Sequence, residues 1–182
     1  MKGEGPNSQD SRQSSRVLPE YSGARALVSN LPYMAMILLG TAVVAVGFGG
    51  SLRGWFGAGA YLLYGVAGVL WIIMFLCPYC PHWNTRTCPC GYGRIAAKLR
   101  SKRDSGRFRE KFRRHIPAIV PLWFIPILAG ILRILADFSW PLLVLLVIFA
   151  VDAFVVLPLF SAKHGCVDCP QADSCPWMAG RR

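Results

Sequence analysis

The residues of this 182-residue chain most suited to chemistry are seven cysteines, which fall into two clusters of similar plan. Each cluster opens with a C-x-x-C-P motif and continues with a further Cys-Pro pair, and five of the seven cysteines directly precede a proline. We interpret this as an internal repeat. The first cluster contains Cys77, Cys80, Cys88 and Cys90, and the second contains Cys166, Cys169 and Cys175.

The spacing within both clusters indicates metal binding, because two thiolates separated by two residues can share one metal and more distant cysteines can complete the shell. Cys-Pro is a feature of ferredoxin-type ligation, and Gly91 and Gly93 leave room for a loop to wrap around a bulky cofactor. We therefore expect all seven cysteines to bind iron–sulfur cofactor, with a 4Fe-4S cluster favoured. Structural zinc held by the first cluster is the alternative, followed by thiol redox chemistry.

The second cluster has only three cysteines, so its metal shell needs a fourth ligand. His164 and His82 are the candidate nitrogen ligands, while Asp168, a water or a substrate could supply oxygen. Three protein ligands with one open position are typical of a catalytic or exchangeable site. Covalent haem is not expected, because the chain has no C-x-x-C-H motif.

The elements that must position these cysteines are expected to be transmembrane helices. The chain is 54% apolar and only 16% charged, and about 20 apolar residues suffice to cross the hydrocarbon core. Four segments qualify, so we predict an all-α polytopic membrane protein built as two helical hairpins. The expected order is a disordered arm (1–30), a first hairpin (31–77), a Cys-rich and then basic loop (78–115), a second hairpin (116–160) and a Cys-rich tail (161–182).

The charge distribution predicts the orientation of these spans. The chain carries a formal net charge of +11, and eleven Lys and Arg residues lie in the 78–115 loop. Since Lys and Arg near span ends stay on the cytoplasmic side, we expect both termini and both cysteine clusters to be cytoplasmic, in the inner (cytoplasmic) membrane. A cytoplasmic site keeps thiols reduced, which disfavours disulfides.

Two further features carry functional hypotheses. Asp152 lies inside the fourth apolar segment, where a carboxylate is costly, so it is a candidate for proton transfer or for a quinone pocket, with helix packing as the alternative. Residues 94–115 are basic with apolar pairs at i, i+4, which is typical of an amphipathic helix on anionic headgroups or of a docking surface for an acidic partner. Nucleic-acid binding is not expected.

The strings CPYCPH, CPCGYG and CVDCP followed by CPW resemble those of small uncharacterised four-helix membrane proteins from anaerobic prokaryotes, over spans one to four. The chain more faintly resembles the membrane iron–sulfur quinol dehydrogenases of nitrate and nitrous-oxide reduction, which also carry Cys-Pro motifs at the cytoplasmic ends of a four-helix core. It lacks their C-x-x-x-C-P spacing and their two ferredoxin repeats, so that resemblance implies a class and no residue roles.

These observations together predict a membrane-embedded electron-transfer subunit that links a membrane redox pool, such as a quinol, to a soluble cytoplasmic partner. Two alternatives remain open at this point. One is a non-enzymatic membrane anchor or assembly subunit whose zinc sites staple the two hairpins. The other is a metal-handling or thiol-sensing membrane protein with exchangeable ions.

Overall fold

The structure, a computed structural model, describes residues 20–49 and 51–165, and these residues form helices with no strand among them. The prediction of an all-helical protein with four helices long and apolar enough to cross a membrane is confirmed. The four spans are Gly23–Gly47, Leu52–Tyr79, Ser105–Ala136 and Trp140–His164. The second cysteine cluster lies outside the described residues.

The first span is helix α1, Gly23–Gly47, and it begins well before the apolar run that starts at Leu31. The Ser22 hydroxyl accepts a hydrogen bond from the backbone N–H of Arg25 at 3.3 Å, which satisfies one of the free donors at the helix start. Residues 23–30, which the sequence assigned to a disordered arm, are therefore helical. The start of this helix is therefore set by the Ser22 cap and not by the start of the apolar run.

The second span is helix α2, Leu52–Phe75, followed by a 3-10 turn over Cys77–Tyr79. Ser51 caps α2 in the same way, accepting from the N–H of Gly54 at 3.3 Å. The polypeptide therefore passes from the apolar second span directly into the first C-x-x-C motif.

The basic region that the sequence predicted as one amphipathic helix forms two helices, α3 (Tyr92–Leu99) and α4 (Phe108–His115). Between them the backbone turns aside, because the N–H of Arg103 donates to the carbonyl of Pro78 at 2.8 Å. Asp104 then accepts from the N–H of Gly106 at 3.0 Å and starts a new 3-10 turn. The apolar pair expected on the second of these helices is present: the rings of Phe108 and Phe112 contact each other on α4, at 5.8 Å between centroids.

The third and fourth spans are also segmented. A 3-10 turn over Ile116–Ala118 joins α4 to helix α5, Pro121–Ala136. The turn and α5 each have a proline in their first two positions, and because proline has no backbone N–H, the preceding helix does not continue through it. The fourth span consists of α6 (Trp140–Val151), a π-helical turn over Asp152–Val156, α7 (Leu157–Phe160) and a second π-helical turn over Ser161–Gly165.

Side-chain hydrogen bonds to backbone carbonyls connect the spans. Tyr61 on α2 donates to the carbonyl of Leu122 on α5 at 2.8 Å, and Trp123 donates to the carbonyl of Ala153 in the fourth span at 3.1 Å. Such pairs satisfy polar groups where water is absent. Their common core contains Met36 and Phe149, both fully buried. Large apolar side chains cover the outer surface, as a lipid-facing surface requires; examples are Phe56, Leu63, Leu128 and Trp140.

Candidate metal centre

Cys77 and Cys80 are positioned by the turn that ends the second span. The N–H of Cys80 donates to the carbonyl of Cys77 at 3.1 Å, which closes the 3-10 turn. Pro78 occupies the start of that turn, where its missing N–H costs no hydrogen bond. Cys77 is buried and Cys80 half-buried, so the pair lies at the boundary between the span and the loop.

A compact polar turn follows, built around His82. The imidazole is buried, with 7% of its surface exposed, and its Nδ1 is hydrogen-bonded to the hydroxyl of Thr87 at 2.8 Å. Thr85 donates through its hydroxyl to the carbonyl of His82 at 2.9 Å. Burial lowers the pKa of His82, which favours the neutral imidazole that binds metals, and Nε2 is the nitrogen left for that purpose.

Cys88 and Cys90 are held by a glycine-rich turn at the start of α3. Gly91 has a left-handed backbone, with φ +74°, and its N–H donates to the carbonyl of Cys88 at 3.1 Å. The N–H of Gly93 points at the Cys88 sulfur, 3.4 Å away. A Cβ at Gly93 would lie 2.2 Å from the carbonyl oxygen of His82. Turn geometry therefore requires glycine at position 91, and close packing requires it at position 93.

The Cys90 segment is also tied to the first span. The side-chain amide of Asn30 on α1 donates to the carbonyl of Cys90 at 3.1 Å, and Tyr92 donates through its hydroxyl to the Asn30 amide oxygen at 2.5 Å. Burial raises the pKa of Tyr92 and the neighbouring Cys90 raises it further. The Tyr92 hydroxyl is therefore a neutral hydrogen-bond donor over the physiological range.

The four described cysteines share one small region. Cys80, Cys88 and Cys90 all lie close enough to Cys77 for charges on their sulfurs to interact. Within residues 20–49 and 51–165, however, no three His, Cys, Asp or Glu side chains converge at metal-binding distance. The chemistry of the donor set, with four thiols and an N–H directed at a sulfur, fits a metal or iron–sulfur group, since N–H groups directed at ligand sulfurs tune such centres.

Cys166, Cys169 and Cys175, together with Asp168, lie outside the described residues, but the structure describes the chain up to their start. His164, two residues before Cys166, is exposed and stacks on Phe160 at 4.3 Å between ring centroids. Its carbonyl accepts a hydrogen bond from the hydroxyl of Tyr21 at 3.4 Å.

Tyr21 also contacts the first cysteine loop, because its backbone N–H donates to the carbonyl of Arg86 at 2.9 Å. Arg86 precedes Cys88 by two residues, as His164 precedes Cys166. One tyrosine therefore connects the approach to the second cluster with the approach to the first.

Asp152 is not part of this region. It is twelve residues before His164 in the same span, which corresponds to roughly 18 Å along the helix axis. Asp152 is the first residue of the π-helical turn Asp152–Val156 and is 9% exposed. The Oδ2 atom of its carboxyl is buried without a hydrogen-bond partner. π-helical turns inside α-helices are frequent at functional sites.

Sequence reasoning missed three residues that hold the candidate site together: Tyr21, Asn30 and Tyr92. Tyr92 could have been found, because it stands between two glycines directly after Cys90. Nothing in the sequence marks Tyr21 or Asn30, since their partners are distant in the chain and are brought near only by the packing of spans.

No family model matches this chain, and no curated protein or solved structure is significantly similar to it. The functional argument therefore depends on the residues and their contacts.

Proposed function

We propose that this protein is a membrane-embedded electron-transfer subunit whose cysteines hold iron–sulfur cofactor at the cytoplasmic surface. It would connect a quinol pool in the membrane with a soluble redox partner. The observation that carries the proposal is the link through Tyr21, which contacts Arg86 beside the first cluster and His164 beside the second. Cysteine-rich segments whose preceding residues are joined in this way suit closely spaced redox centres better than independent structural sites.

In this proposal Cys77, Cys80, Cys88 and Cys90 hold one centre. Cys166, Cys169 and Cys175 hold a second, with His164 or His82 as the further ligand, or the two sets share a composite site. When bound, iron–sulfur cofactor supplies one-electron transfer. The N–H of Gly93 directed at the Cys88 sulfur would stabilise negative charge on that ligand.

A groove in the membrane surface supports the quinol side of the proposal. It has a volume of about 360 Å³ and lies between α1 and α2, with aliphatic walls that include Ile37 and Val66. Its polar end is formed by Asn30, Tyr33 and Tyr92. Tyr33 and Tyr92 already donate their hydroxyl protons to Gly65 and Asn30, so their oxygens are left to accept. Apolar walls with such acceptors at one end suit a quinol, whose ring hydroxyls donate and whose tail needs no polar partner.

The groove is directly connected to the cysteine loop. Asn30 lines the groove and also donates to the carbonyl of Cys90, while Tyr92 donates to Asn30. Only the side chain of Asn30 would lie between a quinol headgroup bound in this groove and the Cys90 segment. Oxidation of a quinol also releases two protons. Asp152 does not line this groove, which leaves proton movement or helix packing as its candidate roles.

The soluble side of the proposal is supported by positive charge around Cys88. A cavity of about 280 Å³ beside this cysteine is lined by Arg86, Arg94 and Lys98. These cations would attract an acidic redox partner to the cysteine that lines this cavity. The same basic loop underlies the proposed orientation, with two hairpins, cytoplasmic termini and residence in the inner membrane.

The decisive test is the metal and acid-labile sulfide content of anaerobically purified protein, with its visible spectrum. We expect iron with matching sulfide and a broad band near about 400 nm that dithionite bleaches, as sulfur-ligated iron gives. Cys88→Ser should reduce the iron content, whereas Ser101→Ala, a small change on the exposed part of the same loop, should not. Stoichiometric zinc without visible absorption would overturn the electron-transfer proposal and favour a zinc-stapled scaffold.

A second test addresses the link between the two clusters. In metal-free protein whose other five cysteines are changed to serine, a short bis-maleimide should cross-link Cys88 to Cys166 within one molecule, because both follow closely on the two contacts of Tyr21. A pair of Cys88 with a cysteine introduced at Ser51, at the opposite end of the second span, is the control and should not cross-link. Equal yields for both pairs would contradict the proposed proximity.

A further inference from the structure

A pocket lined by four cations lies at the membrane boundary, on a part of the basic loop that the proposed electron-transfer site does not use. It has a volume of about 270 Å³ and joins the end of the second span to the start of the third. None of its nine lining residues is acidic. These residues are Met74, Phe75, Pro78, Tyr79, Arg100, Arg103, Lys111, Arg114 and His115.

The pocket is held in place by backbone contacts at both ends of the 100–104 segment. The N–H of Arg103 donates to the carbonyl of Pro78 at 2.8 Å, and the indole N–H of Trp83 donates to the carbonyl of Arg100 at 3.3 Å. These bonds fix the backbone that carries two of the four cations. A preorganised site loses less freedom when it binds a ligand.

The other wall is aromatic and comes from the apolar span. Phe75 stacks on His115, with ring centroids 5.1 Å apart and an angle of 18° between the planes. The Lys111 ammonium lies 5.9 Å from the centre of the Tyr79 ring. Because Met74 and Phe75 belong to α2, this wall continues toward the hydrocarbon core while the cations lie above it.

The positive charge of the pocket is only partly neutralised. Lys111 pairs with Glu110 at 3.5 Å, and Glu110 is also paired with Arg107, which does not line the pocket. Among the described residues, Arg100, Arg103 and Arg114 make no ion pair within 4 Å, so three guanidinium groups surround one cavity without a bound counter-charge from the protein. Guanidinium groups are well suited to phosphate, which they can bind through two parallel N–H donors.

We propose that this pocket binds the phosphate of an anionic phospholipid, with the headgroup among the arginines and the acyl chains against the aromatic wall. Basic pockets beside transmembrane helices bind anionic headgroups in this way. The pocket shares Pro78 and Tyr79 with the C-x-x-C turn, but none of its four cations is a proposed metal ligand, so lipid binding is measured separately from the redox function. The same chemistry would accept a soluble phosphate, which the experiment distinguishes.

The test uses full-length protein in nanodiscs of phosphatidylcholine, to which phosphatidylglycerol is added, with retained lipid measured by native mass spectrometry. Changing Arg103 and Arg114 together to Gln should weaken phosphatidylglycerol retention about 25-fold, since each cation near an anionic lipid contributes about fivefold. Changing Arg109 and Arg113 to Gln is the matched control: it removes the same charge from α4 outside the pocket and should have little effect. Arg103→Lys with Arg114→Lys keeps the charge but removes the paired guanidinium donors, so its retention should lie between those of the wild-type chain and the Gln variant. Unchanged helical circular dichroism in the Gln variant excludes misfolding.

Each outcome has a definite meaning. Equal losses in the pocket and control variants would mean general attraction to a basic surface and would overturn the proposal, as would unchanged binding in the pocket variant. If inorganic phosphate alone displaces phosphatidylglycerol at equal concentration, the anion site stands and its lipid ligand is overturned. Retention by the wild-type chain and by the control variants, but not by the Gln variant of Arg103 and Arg114, supports the phospholipid site.

Discussion

Gly93 provides the sharpest test of the candidate metal centre, because the structure leaves no room for a side chain there. A Cβ at this position would lie 2.2 Å from the carbonyl oxygen of His82 and 3.2 Å from its carbon. Both atoms are backbone, so no change of rotamer relieves the overlap. In Gly93→Ala the His82 turn must therefore retreat by about 1 Å to reach an ordinary contact, away from the start of α3 and from the turn that holds Cys88 and Cys90.

The magnitude follows from the contacts that this movement would break. Overpacking in a closely packed site costs about 1–3 kcal/mol. The bond from the N–H of Asn84 to the carbonyl of Gly93, 3.1 Å long, contributes about 0.5–1.5 kcal/mol. Alanine returns up to about 1 kcal/mol through its higher helix propensity. We therefore expect a local destabilisation of about 0.5–3.5 kcal/mol, which corresponds to roughly a 2- to 400-fold larger population of the opened loop.

The measurement is the rate at which a maleimide labels Cys88 in metal-free protein, with labelled peptides identified by mass spectrometry. Gly93→Ala should accelerate labelling by the factor above while leaving the helical circular dichroism unchanged. Gly106→Ala is the control, because its Cβ would meet Asp104 Oδ1 at an ordinary 3.4 Å. If Cys88 in Gly93→Ala reacts at the wild-type rate, the packing argument for this loop is refuted.

Two further predictions concern the spans. Gly40→Ala should destabilise the bundle by about 1–3 kcal/mol, because its Cβ would lie 2.4 Å from the hydroxyl of Tyr61, whereas Gly59→Ala, which meets nothing within 4 Å, should be neutral or stabilising. Equal shifts of the thermal unfolding midpoint in detergent would contradict this. Asp152→Asn should leave that midpoint unchanged or higher, because the buried Oδ2 has no hydrogen-bond partner to lose, while Asp137→Asn should lower it slightly by removing a 2.7 Å ion pair. A clear fall for Asp152→Asn would mean that its carboxylate has a partner essential for folding.

The number and composition of the spans could be predicted from the sequence because the bilayer imposes a minimum apolar length that few soluble segments reach. The residues at which the spans begin and end could not be predicted in this way. Ser22 starts the first helix at Gly23 through a cap, and the apolar run, which begins only at Leu31, contains no sign of it. The π-helical turn at Asp152 is likewise invisible, because α and π backbones accept the same apolar residues.

The cysteines could be singled out from spacing alone, since C-x-x-C-P is a local pattern. The residues that anchor them could not, because Asn30 reaches Cys90 across sixty positions of sequence. The basic loop gave a similar result: its charge and apolar pairs were evident, but the bond from Arg103 to Pro78 that divides it into two helices is a tertiary contact. Local patterns identify ligands, whereas the supporting contacts depend on how the spans pack.

The π-helical turns of the fourth span have a consequence for how this chain tolerates deletions. A π-helical turn holds one more residue than an α-helical turn, and each residue of an α-helix rotates the chain by roughly 100° about the axis. Deleting one residue within Asp152–Val156 would let that turn become α-helical while everything beyond it keeps its angular position. The segment Trp140–Val151 is α-helical, so the same deletion there would rotate one end of the span by that angle relative to the other. A single-residue deletion should therefore be absorbed at the π-helical turn and should be disruptive in the α-helical stretch before it.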